Sequence, residues 1–345
     1  MSRPHRSTAL AAALLLACGV AHAGSGLGID PALGLLSFGD LSVSGSSISG
    51  GVAVGGNAAI KSYSIDGGAA ASSLVVGGNL TFDSGSVAGR TLVGERLTSS
   101  YGGSFAGDVG VGGTLDASAG LSVSKGALVT VFGSTLGMQP WYPTVGKGEG
   151  SFSTGLDFVA LESRFDKLSD ALDASADTGT ARLQWGTLTF DVKGQNVAVF
   201  DIDAADAGRN MQIVGLAPTA SVVINVHGSK VDFGNHGYTG FAGGQVLFNL
   251  PEATAVTFNG GATSSFLAPR ATFSSGSGSI NGQVIVDSWV GGSRIDRVAF
   301  AGALPDGAGG QPAVFAPIPE PQTWALVLSG FAVAVMVARR RRRRD

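Results

Sequence analysis

The sequence predicts a mainly β protein: a parallel β-helix-like solenoid with one α-helix packed alongside, plus a C-terminal transmembrane helix. Three observations support this fold class. Glycine accounts for 55 of the 345 residues, roughly twice its usual share of about 7%. A short valine-bearing motif recurs through the N-terminal half at intervals of about 20 residues, which is typical of solenoid coils. One long segment with helical periodicity interrupts the strand-like pattern.

The repeated unit is a short apolar strand followed by glycines. Gly51–Asn57 (GVAVGGN) recurs as Ser73–Asn79 (SLVVGGN), in degenerate form as Thr91–Arg96, and again as Asp108–Thr114. One unit is too small to bury its own apolar face, so successive units must stack as coils and pair their strands. We expect the Gly-Gly pair to supply a positive φ at the coil corner. The following asparagine should adopt a left-handed conformation and stack in a ladder.

A helix over about residues 154–175 is predicted between two β-rich halves. Its apolar side chains recur at steps of three and four, which places them on one helical face. Thr154 and Asp157 predict a capping box at its start. Because an exposed apolar stripe of this size would bind other molecules non-specifically, the helix should lie against the β body. The stripe consists of Phe158, Leu161, Phe165, Leu168 and Leu172.

Strand-like segments return from Gly186 onward, separated by turn residues. Together with the repeats, they extend the predicted β domain over residues 24–300. Residues 301–318 are rich in Ala, Gly and Pro and predict a flexible stalk. The predicted strands are Thr187–Phe190, Val197–Ile202, Ser221–Val226, Gln245–Asn249, Ala255–Phe258, Ser265–Leu267 and Gln283–Val286.

Residues 1–23 predict a secretory signal peptide. A basic start precedes the apolar run Ala9–Val20, which is too short to span a bilayer comfortably. Ala21 and Ala23 give the small-x-small pattern that signal peptidase accepts, so the mature chain should begin at Gly24. An uncleaved signal anchor is the alternative.

Cys18 is the only cysteine, and it lies inside the predicted signal. Leu15–Cys18 resembles a bacterial lipoprotein box, although Leu16 stands where that box usually has a small residue. If cleavage instead follows Ala23, the mature protein has no cysteine. It then has no disulfide, thiol nucleophile or thiolate metal site.

Residues 319–345 predict a membrane-sorting tail. Pro319, Glu320 and Pro321 precede an apolar segment, residues 323–338. This segment would form roughly 24 Å of helix, slightly less than a hydrocarbon core of about 30 Å. A cluster of basic residues follows. Because such a cluster does not readily cross a membrane, the C-terminal end should stay cytoplasmic and the β domain should lie on the other side of the membrane. The stop-transfer cluster is Arg339, Arg340, Arg341, Arg342, Arg343 and Arg344.

In this order, the three parts of the tail resemble the PEP-CTERM sorting signal. The resemblance implies that Pro319, Glu320 and Pro321 form the recognition motif for an exosortase-type membrane protease. It also implies a Gram-negative protein associated with exopolysaccharide and biofilm. A plain single-pass anchor with a chance Pro-Glu-Pro sequence is the alternative.

Residues 35–300 resemble the choice-of-anchor A family, an exported domain found joined to different anchors. The resemblance implies an envelope role and carries over no catalytic residue, because the family has no established enzymatic activity. Besides the single helix, its points of similarity are the early Val-x-Val-Gly-Gly-Asn, Asn196-Val197 leading to Phe200, Val223–Val226, Phe248-Asn249 with Glu252–Thr254, Leu267–Pro269 and Ile280–Gly282.

The exported part is modestly acidic once the basic residues of the two terminal segments are set aside. This charge disfavours nucleic acid and anionic lipid as partners. The expected partners are therefore signal peptidase, the exosortase-type protease, the membrane through the C-terminal helix, and exopolysaccharide.

Few residues point to metal chemistry, and we expect no cofactor or metal. His227 and His236 could share a metal with Asp232, but isolated exposed histidines are the commoner case. Asp201, Asp203 and Asp206 suggest a calcium loop, but their spacing does not match the EF-hand pattern. Exposed loop carboxylates are the better interpretation.

No catalytic residue is predicted either. The sequence contains no Gly-x-Ser-x-Gly elbow, no phosphate-binding glycine loop with lysine, and no His-Glu-x-x-His. β-helices do host polysaccharide lyases and hydrolases, which need acids clustered on one face. Glu95 with Asp108, or Asp191 with Asp201, could form such a pair in space.

Three functions follow from these observations. The leading hypothesis is a structural or adhesive matrix protein, not an enzyme, anchored at the membrane and then displayed or released at the cell surface. The second is a β-helix carbohydrate-active enzyme that acts on exopolysaccharide. The third is an ice- or surface-binding solenoid, which needs a flat array of small polar residues such as the Thr-x-Thr at Thr187–Thr189.

Overall fold

A computed structural model describes residues 26–67, 72–306 and 308, so the predicted signal peptide and sorting tail lie outside the described residues. The described residues form 28 strands, one α-helix and one short 3-10 helix. The strands before the α-helix are β1 (Leu33–Ser37), β2 (Leu41–Ser44), β3 (Ser47–Ser49), β4 (Gly51–Val54), β5 (Ala58–Lys61), β6 (Tyr63–Ile65), β7 (Leu74–Val76), β8 (Leu80–Val87), β9 (Thr91–Val93), β10 (Leu97–Phe105), β11 (Val109–Val111), β12 (Leu115–Ala119), β13 (Ser122–Val123), β14 (Val129–Val131), β15 (Thr135–Leu136) and β16 (Val145–Lys147).

The helix α1 (Phe158–Asp173) separates these strands from a second set. Each strand predicted after Gly186 is confirmed, and several of them are longer than predicted. The second set is β17 (Arg182–Gln184), β18 (Thr187–Asp191), β19 (Val197–Asp203), the 3-10 helix Ala204–Asp206, β20 (Asn210–Val214), β21 (Ser221–His227), β22 (Lys230–Asp232), β23 (Tyr238–Thr239), β24 (Val246–Asn249), β25 (Ala255–Ala262), β26 (Ser265–Asn281), β27 (Val284–Gly291) and β28 (Arg294–Asp296).

Three ladders of parallel strands run along the body, which confirms the predicted parallel solenoid. The first face is β19–β21–β24–β26–β27–β1–β4–β7–β9–β11–β14–β16. The second face is β22–β25–β26–β27–β2–β5–β8–β10–β12–β15. The third face is β25–β26–β28–β3–β6–β8–β10–β13. A separate sheet, β17–β18–β20–β23, includes the antiparallel pair β17–β18.

The order of the coils along the body differs from their order in the chain. The N-terminal strand β1 pairs with β27 on one side and with β4 on the other, and β2 pairs with β27 and β5 in the same way. The described residues therefore start in the middle of the solenoid and wind outward to β16. The strands after α1 build the other half and return to meet β1. The repeats in the sequence did not predict this junction.

Inward-facing side chains form one continuous core. The predicted stack of valines is confirmed: Val54, Val76, Val93 and Val111 are fully buried and lie in register on adjacent strands. Aromatic rings fill the other half, where Phe273 and Trp289 stack with ring centroids 4.8 Å apart. Because all these groups are withdrawn from water, the hydrophobic effect favours the stacked coils over separate units.

The prediction that Gly-Gly pairs supply a positive φ is wrong. None of Gly55, Gly56, Gly77 and Gly78 lies in the left-handed region. Glycine is needed there because the coils approach each other too closely for a side chain. A Cβ on Gly77 would lie 2.4 Å from the carbonyl oxygen of Gly55.

The predicted asparagine ladder is confirmed at the same corner, but not the left-handed asparagine conformation. Asn79 donates from its backbone N and its side-chain Nδ2 to Oδ1 of Asn57, at 3.0 and 2.9 Å. Asn57 donates in the same way to Oδ1 of Asp40, and Arg96 N donates to Oδ1 of Asn79. The side chains thus satisfy backbone donors where the chain turns between faces.

Helix α1 packs against the outside of the first face, as predicted. Phe165, Leu168 and Leu172 are buried and share a second hydrophobic core with strands from both halves, including Leu36 and Leu247. The predicted capping box is wrong, because the helix begins at residue 158. Asp157 is itself the N-cap, and its Oδ1 accepts from the backbone N of residue 160 at 3.0 Å.

A buried polar network fixes the C-terminal end of α1 to the first face. Asn249 Nδ2 donates to the backbone oxygen of Ser169 and to Oδ1 of Asn225, while the Ser169 hydroxyl donates to Asn249 Oδ1. Asn225 Nδ2 donates to the backbone oxygen of Leu172 and to Asp201. The helix end is thus held by bonds that include one to the terminal carbonyl of Leu172.

The start of the predicted stalk contacts the solenoid. Ala301 N donates to the Gly244 oxygen at 2.9 Å, and the Ser221 hydroxyl donates to the Ala303 oxygen at 2.6 Å. Leu304 also packs against the core beneath the helix. Within the described residues, no helix is long and apolar enough to cross a membrane. The predicted segment 323–338 lies outside them.

Candidate binding surfaces

The second face presents a straight row of small outward side chains. Strands on this face alternate buried and exposed residues, so one outward position per coil falls in register. Neighbouring strands lie about 4.8 Å apart, which sets the repeat of the row. From one end to the other, it consists of Thr257, Ser274, Val290, Ser42, Ala59, Thr81, Thr98 and Asp116.

The N-terminal half of this face contains a groove of about 520 Å³. Its charged side chains are Lys61 and Asp83, which form an ion pair at 3.7 Å. The rest of the lining is hydroxyl-bearing or apolar. Besides these two residues it comprises Ser42, Val43, Ser44, Ala59, Ile60, Thr81, Phe82, Thr98, Ser99, Ser100 and Ala119.

An aromatic cluster stands beside the groove. Tyr101 follows groove residue Ser100 in the chain, and Trp141 and Tyr142 come from the loop after β15. The hydroxyls of Tyr101 and Tyr142 are 2.8 Å apart, and this hydrogen bond raises the pKa of Tyr142 to about 12. Tyr101 is 64% exposed and Trp141 is 72% exposed. Two large rings therefore face solvent at one end of the groove.

A cluster of acids surrounds His227 near the C-terminal end of α1. Its Nδ1 lies 3.6 Å from Asp173 Oδ1, and its Nε2 lies 3.8 Å from Asp201 Oδ1. Burial raises the pKa of Asp173, the electrostatic interaction with His227 opposes this shift, and the nearby Asp201 adds to it. Burial, followed by the charge of Asp201 and a hydrogen bond with it, raises the pKa of Asp177. Asp173 and Asp177, which come from the helix end and the following loop, were not predicted from the sequence.

The residues predicted as a shared metal site do not meet. His227 lies with Asp173 and Asp201, whereas His236 packs on Tyr238 with ring centroids 4.7 Å apart. Burial lowers the pKa of His236. Asp232 accepts from the backbone N of residue 234. Within the described part of the chain, no group of three or more His, Cys, Asp or Glu side chains is arranged to hold a metal ion.

The other candidate acids make local contacts. Asp206 pairs with Arg209, and Asp203 caps the 3-10 helix without a side-chain hydrogen bond. Asp108 accepts from the backbone N of residue 128 in the next coil, while Asp191 accepts from the backbone N of residue 193. Among the described residues, no hydrogen bond joins Glu95 to Asp108 or Asp191 to Asp201. The two carboxylate pairs stay predictions.

These features define a parallel β-solenoid with a buttressing helix and an extended, hydroxyl-rich exposed face. The chain belongs to the family described as "Putative Ice-binding-like adhesive domain", whose model matches residues 34–297. The match spans both halves of the solenoid and the helix. No curated protein and no solved structure matches the chain significantly. The family suggests a surface adhesive protein with a surface or extracellular location.

Proposed function

We propose that the chain is an exported, non-enzymatic adhesive of the bacterial envelope, retained at the membrane by its C-terminal tail until an exosortase-type protease processes it. The observation that carries the proposal is the adhesive-family match over residues 34–297, together with the regular exposed row of the second face. A solenoid suits adhesion because its side chains are held on a rigid, hydrogen-bonded frame and lose little entropy on contact.

Export and sorting rest on the sequence alone. The signal peptide with cleavage before Gly24, the motif Pro319–Pro321 and the arginines that follow it support them. The resemblance to PEP-CTERM proteins supports a link to exopolysaccharide and biofilm. We therefore place the domain first outside the inner membrane and then at the cell surface or in the matrix.

A labelling experiment tests location. Cells producing the full chain are treated with a membrane-impermeant amine reagent, which should modify the protein through exposed lysines such as Lys61 and Lys230. The intact mass of the recovered protein should show loss of residues 1–23 and of the tail after Pro321. Protein found unlabelled and full-length in the cytoplasm would refute export.

A retention experiment under flow tests adhesion. Cells with the gene should remain on a surface longer than cells without it. Thr81→Glu with Thr257→Glu, both on the second face, should reduce retention. Ser104→Glu with Ser122→Glu adds the same charge on the third face and should not. Equal retention of all strains would refute adhesion.

The absence of enzymatic activity is also part of the proposal. The cluster of Asp173, Asp177 and Asp201 is the arrangement closest to a catalytic set. Asp201, however, accepts a hydrogen bond from the buried Asn225, so it serves to hold the helix end. Purified protein should leave the chain length of the host's exopolysaccharide unchanged. Depolymerisation that is lost in Asp177→Asn would favour the carbohydrate-active enzyme instead.

A further inference from the structure

We propose that the groove on the second face, together with Tyr101 and Trp141, is a binding site for an uncharged polysaccharide chain. This inference rests on the proposed adhesive function and names the ligand class of one of its surfaces. It starts from a concavity of about 520 Å³, which lies within the range of about 300–1,000 Å³ typical of ligand sites.

The shape of the groove suits a linear polymer. Its lining comes from the adjacent strands β2, β5, β8, β10 and β12. At about 4.8 Å between strands, five strands span about 19 Å, which is enough for several sugar rings laid across them. Hydroxyls recur along this length, and they can both donate to and accept from the hydroxyls of a sugar.

The aromatic rings supply the second half of a saccharide site. A sugar ring has polar edges and apolar C–H faces, and an exposed aromatic ring can cover such a face. Tyr101 and Trp141 are exposed although rings of this size are usually covered. Gly120 follows groove residue Ala119, and a Cβ there would lie 2.4 Å from Cγ of Tyr101. The glycine therefore leaves room for the Tyr101 ring next to the groove.

Charge selects a neutral polymer. Lys61 and Asp83 neutralise each other, so the groove attracts neither an anionic nor a cationic chain. Nucleic acid is disfavoured for the same reason.

A peptide strand fits this surface less well. Strand addition needs a free sheet edge, and each of the five groove strands is already paired on both sides. An ice surface needs a flat array, whereas this part of the face is concave and has projecting rings at one end. The shape, the charge and the aromatic rings all favour an extended, uncharged glycan as the occupant.

Affinity gel electrophoresis tests the proposal with named polymers. The purified, folded protein is run through gels containing dextran, pullulan or hydroxyethyl cellulose, with alginate as an anionic comparison. We expect at least one neutral polymer to retard the protein. Trp141→Ala and Tyr101→Ala should each weaken this binding at least about tenfold. Ala59→Arg should abolish it by filling the groove.

Trp185→Ala is the matched control. Trp185 is 94% exposed but lies in the β17–β18 hairpin of the separate sheet, so its loss should not change retardation. No retardation by any neutral polymer, or equal loss in Trp185→Ala, would overturn the proposal. Retardation by alginate alone, or thermal hysteresis lost in Ala59→Arg without glycan binding, would also overturn it. If cells still adhered through the wild-type protein while no neutral polymer bound, the adhesive function would be retained and only the glycan site would be rejected.

Discussion

The corner glycines provide a sharp test of how closely the coils stack. Gly94 follows β9, and its backbone N donates to the Val76 oxygen of the preceding coil at 2.8 Å. A Cβ built on Gly94 would lie 2.0 Å from the carbonyl oxygen of Gly77. Gly94→Ala must therefore push the two coils apart locally by at least about 1 Å to reach even a tight contact.

The cost follows from two effects. Overpacking of a closely packed region costs about 1–3 kcal/mol, and weakening the Gly94–Val76 hydrogen bond costs about 1 kcal/mol. The free energy of unfolding should fall by about 2–4 kcal/mol in total. Gly261→Ala is the matched control, because a Cβ there meets nothing within 4 Å and its φ lies outside the left-handed region. It should be neutral or should stabilise by up to about 1 kcal/mol.

Urea unfolding followed by circular dichroism measures both variants, and hydrogen exchange at β7 and β9 shows whether the loss is local. Solenoids can unfold coil by coil, so hydrogen-exchange protection of β7 and β9 measures the effect more directly than the urea transition does. Equal stability of Gly94→Ala and Gly261→Ala, with unchanged protection of β7 and β9, would refute the stacking geometry.

Three further predictions concern single side chains. Asn249→Ala leaves buried groups of Ser169 and Asn225 without partners, so the free energy of unfolding should fall by about 3 kcal/mol; an unchanged urea midpoint would contradict this. A hydrogen bond from Arg96, followed by hydrogen bonds from Ser118, lowers the pKa of Asp116 from 3.8 to about 2. Because its pKa is lower in the folded protein, Asp116 contributes stability that is present above the unfolded-state pKa and is lost as the pH falls toward 2. In Arg96→Ala, an NMR titration should give a higher pKa for Asp116, and less stability should be lost over this pH range. An Asp116 pKa that stays near 2 would contradict the assignment. Trp185 has φ 52° and precedes Gly186 at φ 78° in a two-residue hairpin turn, so Trp185→Asn should raise stability by about 1 kcal/mol in thermal unfolding; a lower melting temperature would argue against strain there.

Features carried by local periodicity could be predicted from the sequence. The spacing of Val54, Val76, Val93 and Val111 indicated stacked coils, and Phe165 with its apolar neighbours indicated a helix against the body. Both signals repeat within a few residues or one coil, so they survive in a single sequence. The role of Gly77 was misjudged because close approach and positive φ both demand glycine, and only coordinates separate the two causes.

Features made by distant contacts could not be predicted. Ser42 and Val290 are neighbours on the second face although they lie near opposite ends of the domain. Nothing in either strand marks the other as its partner, because parallel pairing relies on backbone groups that every residue carries. The same reason hid the contact of Tyr101 with Tyr142 and of Asp173 with His227. The acids paired from the sequence came from nearby segments of the chain, whereas these groups meet across the fold.

The junction of the two halves is the central claim, and a cysteine cross-link tests it most directly. Ser42 and Val290 are exposed and directly opposed on adjacent parallel strands. At a separation of about 4.8 Å they are within disulfide reach. In a chain with Cys18→Ala, mild oxidation of Ser42→Cys with Val290→Cys should form an intramolecular disulfide, detected by mass and gel mobility. Ser42→Cys with Thr98→Cys, three strands apart, should not. Absence of the Ser42–Val290 cross-link in folded protein would contradict the pairing of β2 with β27 that joins the two halves of the solenoid.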